Sequence, residues 1–253
     1  MRFLRYQTEE KSPRYGWLLD DKIGDIEGDL FGEFRRLDAV TPLSEAKLLA
    51  PSQPSKILCV GRNYAAHAKE HNAEVSELPL IFHKPPSALL NPNDAIILPH
   101  QSQQVEHEAE LVAVIGKRGR NIIAEDAKEH ILGYSIGNDV TARDLQRADR
   151  LWTRGKGFDT FAPFGPWIDT EFNPADAVVT CRVNGQMRQM ASTHDMVFSV
   201  GTIIAFISSV MTLEAGDLIY TGTPAGVGAL ADGDVVEVDI EGLGVLSNPV
   251  KNA

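Results

Sequence analysis

The sequence predicts a strand-rich α+β fold, and three observations carry that expectation. Short apolar runs recur along the chain between Gly, Pro, Asn and Asp punctuation. Only one long apolar helical segment stands out, SVGTIIAFISSV. The strands and helices do not alternate in the regular βαβα rhythm of a parallel sheet. A chain of 253 residues, 43% hydrophobic and 23% charged with 21 Gly and 14 Pro, is large enough for a sizeable core and has no fibrous or disordered composition.

The elements follow in order. Phe3 to Tyr6, Tyr15 to Leu19 and Lys22 to Ile26 read as strands of a small β-rich unit over residues 1–52, with Pro51 and Pro54 as its exit. Residues 53–253 form the larger unit. KILCV is a strand ending at Gly61, and the Ala, Lys and Glu of NYAAHAKEH favour a short helix after it. LIFHK, AIILP, VEHEAELVAVIG and ILGYSIGND follow as strands, with a helix at Ala124 to His130. Asn184-Gly185 between VVTCRV and QMRQM is a hairpin signal, because type I′ turns need two residues that tolerate positive φ. Ser199 is placed to cap the apolar helix, and DLIYTGTP, DVVEVDI and LGVLSN close the chain as strands joined by Gly-rich turns.

Charge and cysteine usage narrow the partners. Lys and Arg number 24 against 35 Asp and Glu, a net charge of −11 that opposes phosphate-backbone binding. The amino terminus has no apolar signal region, and no run approaches the roughly 18 residues of a membrane span. Two cysteines, Cys59 and Cys181, without a CxxC pair, suggest neither a disulfide framework nor a thiolate zinc site, so a cytoplasmic protein with reduced thiols is expected.

Several residue patterns could carry chemistry. Glu108 and Glu110, two apart in a strand-like run, would share a sheet face; they form either a charged solvent edge or an oxygen-rich site suited to Mg²⁺ or Mn²⁺. Asp139 ends a strand and is either the N-cap of the next helix, with Thr141 competing, or a third oxygen ligand. Arg143, Arg147, Arg150 and Arg154 recur at helical spacing beside Gln146 and Lys156, as a solvated face or as an anion-holding stripe. His67 and Glu70, three apart, lie on one helical face and could act as a base and its orienting partner, with His71 as the alternative base. The polarity of that segment otherwise suggests an ordinary surface histidine, and would also suit a mobile lid. TGTPAGVG lacks both the phosphate-loop and the dinucleotide pattern; it is a tight turn or a close backbone approach with Thr223 as a hydroxyl donor.

Taken in order, GRNYAAHAKE, HEAELVAVIGK, GNDVTARDLQ, LWTRGKGFDTFAPFGPW, RVNGQMRQ and LIYTGTPAGVG resemble the fumarylacetoacetate hydrolase family over about residues 56 to 248. The likeness is to its compact branch of acylpyruvate hydrolases, oxaloacetate decarboxylases and 2-hydroxyhepta-2,4-diene-1,7-dioate isomerases. It implies a bent mixed β-roll with peripheral helices behind a small N-terminal β-rich domain, in a homodimer. It also implies Glu108, Glu110 and Asp139 as ligands of Mg²⁺ or Mn²⁺, with Lys156, Gln146 and Thr223 near substrate and Arg143 and Thr160 supporting the metal. His67 and Glu70 match a dyad carried on a closing lid. The implied activity is metal-dependent hydrolysis or decarboxylation of a 2-oxo (di)carboxylate such as an acylpyruvate or oxaloacetate. Dienol isomerisation and metabolite binding without turnover are the alternatives.

Overall fold

The computed structural model describes residues 1–9 and 11–253. Strands dominate, as expected. Among the described residues a twelve-stranded mixed sheet runs from Phe34–Pro42 through Lys22–Gly28, Lys11–Leu19 and Arg2–Thr8 to Ala162–Asp169, then through Ile131–Asn138, Ala109–Ile115, Leu218–Tyr220 and Ile57–Gly61 to Leu80–Lys84. The N-terminal strands therefore continue the central sheet, joined where Arg2 and Phe3 pair with Asp169 and Ile168. A five-stranded sheet packs beside it in the order Gln186–Ser192, Val178–Val183, Val235–Ile240, Gly244–Asn252, Ile96–Leu98. Alternating burial along Val235–Ile240 turns Val236, Val238 and Ile240 into the main core, where they meet Leu111, Ala113 and Ile115. Leu111 to Ile115 is buried at every position, the mark of a strand covered on both faces.

Local signals acted where they were strongest. Asn184 and Gly185 take φ of 52° and 75° and join two paired strands in a two-residue turn. Val200–Val210 is helical with the Ser199 hydroxyl accepting from the Thr202 N–H, and it buries Ile203, Ile204 and Ile207. The Ala124–His130 segment winds as a 3₁₀ helix, tighter than the α-helix expected. No helix of the described residues is long and apolar enough to cross a membrane.

The departure that matters is in VEHEAELVAVIG. Its expected single strand is broken at Glu108 into Val105–His107 and Ala109–Ile115. The shorter piece leaves the large sheet and pairs with Thr141–Ala142 on one side and Gly228–Ala229 on the other. Its neighbours break at the same level. Ala109 pairs with Asn138 in the large sheet and Glu106 with Thr141 in the small one, and between them the Asp139 N–H donates to the Glu108 carbonyl at 2.9 Å. On the other flank Val112 to Val114 pair with Leu218–Tyr220, and the chain crosses at Thr221 to Val227 before pairing again at Gly228. Three adjacent strands are thus creased together, and the crease is where Glu108, Asp139 and the TGTPAGVG loop lie.

Candidate active site

The acids come first, since the crease sets them. Glu108 and Asp139 stand at the two breaks and Glu110 two residues into the large sheet, all three buried, with ligand oxygens within 4.8 Å of one another. Neither bland reading of these residues holds geometrically: the glutamates do not form a solvent edge, and the helix Arg143–Asp149 starts from Ala142 without an Asp139 cap.

Three buried cations answer them. Lys156 Nζ donates to Glu108 Oε2 at 2.8 Å and to Asp139 Oδ2 at 2.6 Å. Arg143 commits Nε to Glu106 Oε2 at 2.7 Å, one terminal nitrogen to Glu108 Oε1 at 2.5 Å and the other to Gln146 Oε1 at 2.8 Å. Lys84, at 0% exposure, donates to Asp139 Oδ1 and to the Val140 carbonyl, the latter at 3.0 Å. Lys156 reaches the acids from the short helix Thr153–Lys156. Gly155 lets that helix close on Arg143–Asp149, since a Cβ there would stand 2.8 Å from the Gln146 nitrogen. The Phe82 ring, stacked edge-on against Trp152, lies 5.0 Å from Lys156 Nζ and gives the site an apolar wall.

Four buried carboxylates, Glu106, Glu108, Glu110 and Asp139, face three buried cations. Glu110 is the one left short, because it accepts from the Gly222 N–H at 2.7 Å and, among the described residues, pairs with no cation. Burial, then the Asp139 and Glu108 charges, push its carboxyl well above the usual range. Burial also acts on Glu108, but the adjacent Lys156 and Arg143 outweigh it and hold that carboxyl low. Lys156, which burial alone would neutralise, is kept charged by Asp139 and Glu108 and its pKa rises. A cluster of hard oxygen donors lacking positive charge at Glu110 fits Mg²⁺ or Mn²⁺.

The loop from Thr221 is shaped for close approach. Gly222 takes φ of 100°, and a Cβ there would lie 2.7 Å from Asn63 Cβ, so its N–H can meet Glu110 only as glycine. Asn63 pins the loop from behind, donating to the Thr221 carbonyl at 2.8 Å and to Phe198 O at 3.0 Å. Thr223 follows, buried and lining the cavity.

Over the acids sits the helix Ala65–Glu70. Its His67 is 6% exposed, which overturns the surface-histidine reading. The buried stripe, His67 with Ala68, is only two residues long and is hidden in the polar composition. His67 Nδ1 lies 3.3 Å from Glu70 Oε2, and Glu70 in turn accepts from the Gly226 N–H at 3.2 Å, so the loop and the helix hold each other. Burial lowers the His67 pKa; Glu108 opposes and Arg143 assists, and the ring stays neutral near pH 7. His71 packs edge-on against His67 at 4.7 Å.

His67, Glu108, Glu110, Asp139, Arg143, Gln146, Lys156 and Thr223 line one cavity of about 300 Å³. Arg147 and Arg150 stand at it as well, but the arginine stripe is not continuous. Arg150 at φ 61° ends the helix, and Arg154 turns away into an exposed pair with Asp149. Thr160 lies elsewhere, its hydroxyl accepting from the Ile97 N–H at 2.9 Å. Lys84, Glu106 and Asn63 were not among the expected site residues. A lysine at the end of LIFHK carries no local sign of burial, and only pairing of that strand with Ile57–Gly61 brings it under Asp139.

Comparison with known proteins agrees with this architecture. Residues 56–251 match the family model described as fumarylacetoacetate (FAA) hydrolase C-terminal, and residues 1–51 match Rv2993c-like, N-terminal. An oxaloacetate tautomerase, the mitochondrial FAHD2B of Bos taurus, is 46% identical over 224 residues, covering 83% of this chain and 71% of its own. The crystal structure of 2-hydroxyhepta-2,4-diene-1,7-dioate isomerase from Mycobacterium marinum superposes with a TM-score of 0.92 at 43% identity, covering 100% of this chain and 98% of that one. Fumarylpyruvate hydrolase from Pseudomonas aeruginosa, solved with Mn²⁺ and pyruvate, gives a TM-score of 0.77 at 38% identity over 82% of this chain and 92% of its own. With the family match spanning the three creased strands and their acids, this chain is a member of the fumarylacetoacetate hydrolase family.

Proposed function

We propose that this chain is a divalent-metal-dependent enzyme that cleaves a carbon–carbon bond of a 2-oxo (di)carboxylate, by hydrolysis or decarboxylation, through the substrate's enolate. The observation that carries the reading is the buried His67, paired with Glu70, facing a buried three-carboxylate cluster across one cavity. Glu108, Glu110 and Asp139 would hold the cation, which supplies Lewis acidity toward the oxygens of a bound 2-oxo carboxylate. With a divalent ion present the buried cluster carries one net positive charge, the complement of a single carboxylate.

The chain's own groups do the rest. Lys156, charged and walled by Phe82, is placed to donate to an oxygen that gains negative charge as the bond breaks. Glu70 accepts from His67 Nδ1 and leaves Nε2 to take a proton, from water in a hydrolysis. Thr223 and Gln146 are placed to bind the substrate carboxylate end, and Arg143 braces both Glu108 and Gln146. Arg147 and Arg150 at the rim suit a second carboxylate.

A second reading, proton transfer between the carbons of a dienol or the keto and enol forms of oxaloacetate, is favoured by the end-to-end likeness to the isomerase and by the tautomerase relative. The same base and the same enolate serve it. The deciding experiment is a turnover panel of an acylpyruvate, oxaloacetate and a dienol dicarboxylate with Mg²⁺, Mn²⁺ and chelator. Carbon–carbon cleavage as the fastest reaction supports the proposal; faster isomerisation transfers it to the second reading. Oxalate binding without any turnover would overturn both.

A further inference from the structure

Gln189, on the strand Gln186–Ser192, is buried at 1% exposure behind the site and touches no cavity-lining acid, yet it links both walls of the crease. Its Oε1 accepts from the Ala109 N–H at 3.1 Å and stands 3.0 Å from His107 Nδ1; its Nε2 donates to the Pro224 carbonyl at 2.8 Å and to Thr223 Oγ1 at 2.7 Å. Two of these partners have only one chemical possibility. A backbone N–H can only donate and a backbone carbonyl can only accept, so Ala109 and Pro224 fix which end of the amide is which. The direction of the amide then fixes who donates to it and who accepts from it, while the Thr223 oxygen keeps a second lone pair. Thr223 Oγ1 must accept from Gln189, and its own proton, with no other partner among the described residues, is free for the cavity that Thr223 lines. His107 must carry a proton on Nδ1 to donate to Gln189 Oε1, with the Cys181 sulfur 3.4 Å away as a weak neighbour.

We propose that Gln189 is a specificity-determining positioning residue: through Thr223 it makes that wall of the site a hydrogen-bond donor, so the site takes a ligand oxygen that only accepts and disfavours an NH₂ group there. This rests on the 2-oxo acid reading for the identity of the ligand, but the direction of the hydrogen bonds does not.

The test uses oxalate, which offers acceptors only, and oxamate, which places an amide NH₂ on the same frame. Binding of each to the Mn²⁺-loaded protein is measured by calorimetry for the native chain, Gln189→Met, Thr223→Val and the double variant. The native protein should favour oxalate, and either single substitution should shrink that preference roughly tenfold, about the worth of one hydrogen bond to a charged acceptor. The double variant should shrink it no further. General loosening of the fold would weaken both ligands alike, so an unchanged oxalate-to-oxamate ratio in Gln189→Met, or multiplicative losses in the double variant, overturns the proposal. If Gln189→Met does not fold, ¹⁵N NMR of the native His107 ring still decides: a proton on Nδ1 supports the assigned direction, and an unprotonated Nδ1 overturns it. Native protein that binds neither anion overturns the 2-oxo acid reading, and with it the ligand named here, while the His107 signal still judges the hydrogen-bond network.

Discussion

Replacing Lys84 by Met removes a buried positive charge from Asp139 Oδ1 that no other described residue supplies there. The ammonium is fully buried, and it donates to Asp139 Oδ1 and to the Val140 carbonyl. Methionine keeps the apolar stem and fits beside the Phe161 ring, whose centroid lies 6.0 Å from Nζ. The loss is therefore electrostatic rather than a cavity. Breaking one side of a buried pair costs about 3–5 kcal/mol, and Lys156, still 2.6 Å from Oδ2, keeps this case toward the lower end. At roughly 2–4 °C per kcal/mol for a chain of this size, the melting temperature in chelator should fall by about 6–12 °C. A divalent cation restores positive charge beside the same carboxylate, so added Mn²⁺ should raise the melting temperature of Lys84→Met more than that of the native protein. Scanning calorimetry of both proteins in EDTA and in Mn²⁺ measures the two shifts. Equal melting temperatures in EDTA would refute the view that Lys84 balances Asp139, and a smaller Mn²⁺ shift in the variant would show that it orients Asp139 for the cation instead.

Three further outcomes follow from the site. Glu110 is raised in the folded state from an ordinary value of 4.5, so its protonated form stabilises the metal-free protein below that pH and this contribution is lost as pH rises through the folded value. Cation binding must expel that proton, so Mn²⁺ affinity should climb by up to about tenfold per pH unit as pH rises toward the folded value and level off above it, and calorimetry should find the slope abolished in Glu110→Gln. His67→Ala should cost about 10²–10⁴-fold in hydrolytic kcat with Mn²⁺ affinity unchanged, whereas Lys156→Ala should impair hydrolysis and decarboxylation together; equal losses of both activities in His67→Ala would assign that residue to a proton transfer common to the two reactions. Gly222→Ala, strained at φ 100° and pressed on Asn63, should withdraw the N–H from Glu110, destabilise the protein by about 1–3 kcal/mol in urea denaturation and weaken Mn²⁺ binding, and an unaltered midpoint would contradict the close approach.

What the sequence disclosed and what it hid divide along physical lines. The hairpin at Asn184-Gly185 and the Ser199-capped helix were legible because their determinants lie within a few residues of one another. The acids were legible as a spacing and, through the family likeness, as a set. The break at Glu108 was not, because VEHEAELVAVIG carries no Gly or Pro before its last residue to mark an interruption; only pairing with Thr141–Ala142 and Gly228–Ala229 pulls Val105–His107 out of the large sheet. Lys84 and Gln189 were silent for a related reason. Each sits on an ordinary-looking strand, and each acquires its role from residues 55 and 80 positions away, Asp139 and Ala109. His67 shows the opposite failure: the residue was singled out, but the polar composition of its segment concealed its burial.

The crease also behaves as a caliper. Two of the three acids stand at the bend itself, while Glu110 belongs to the flat of the large sheet and moves with it. Opening or closing the angle between the two sheets would change the gap between Glu110 and the other pair before any side chain changed rotamer. Mg²⁺ and Mn²⁺ differ in radius by a small fraction of an ångström, so a correspondingly small difference in that angle would be enough to matter. His107 against Gln189 braces the angle from outside and Arg143 against Glu106 from within the site, so both would gain a voice in which ion the acids prefer. Tuning of metal preference among proteins built on this crease is accordingly to be sought in the bracing of the sheets, where the ligands themselves can stay the same.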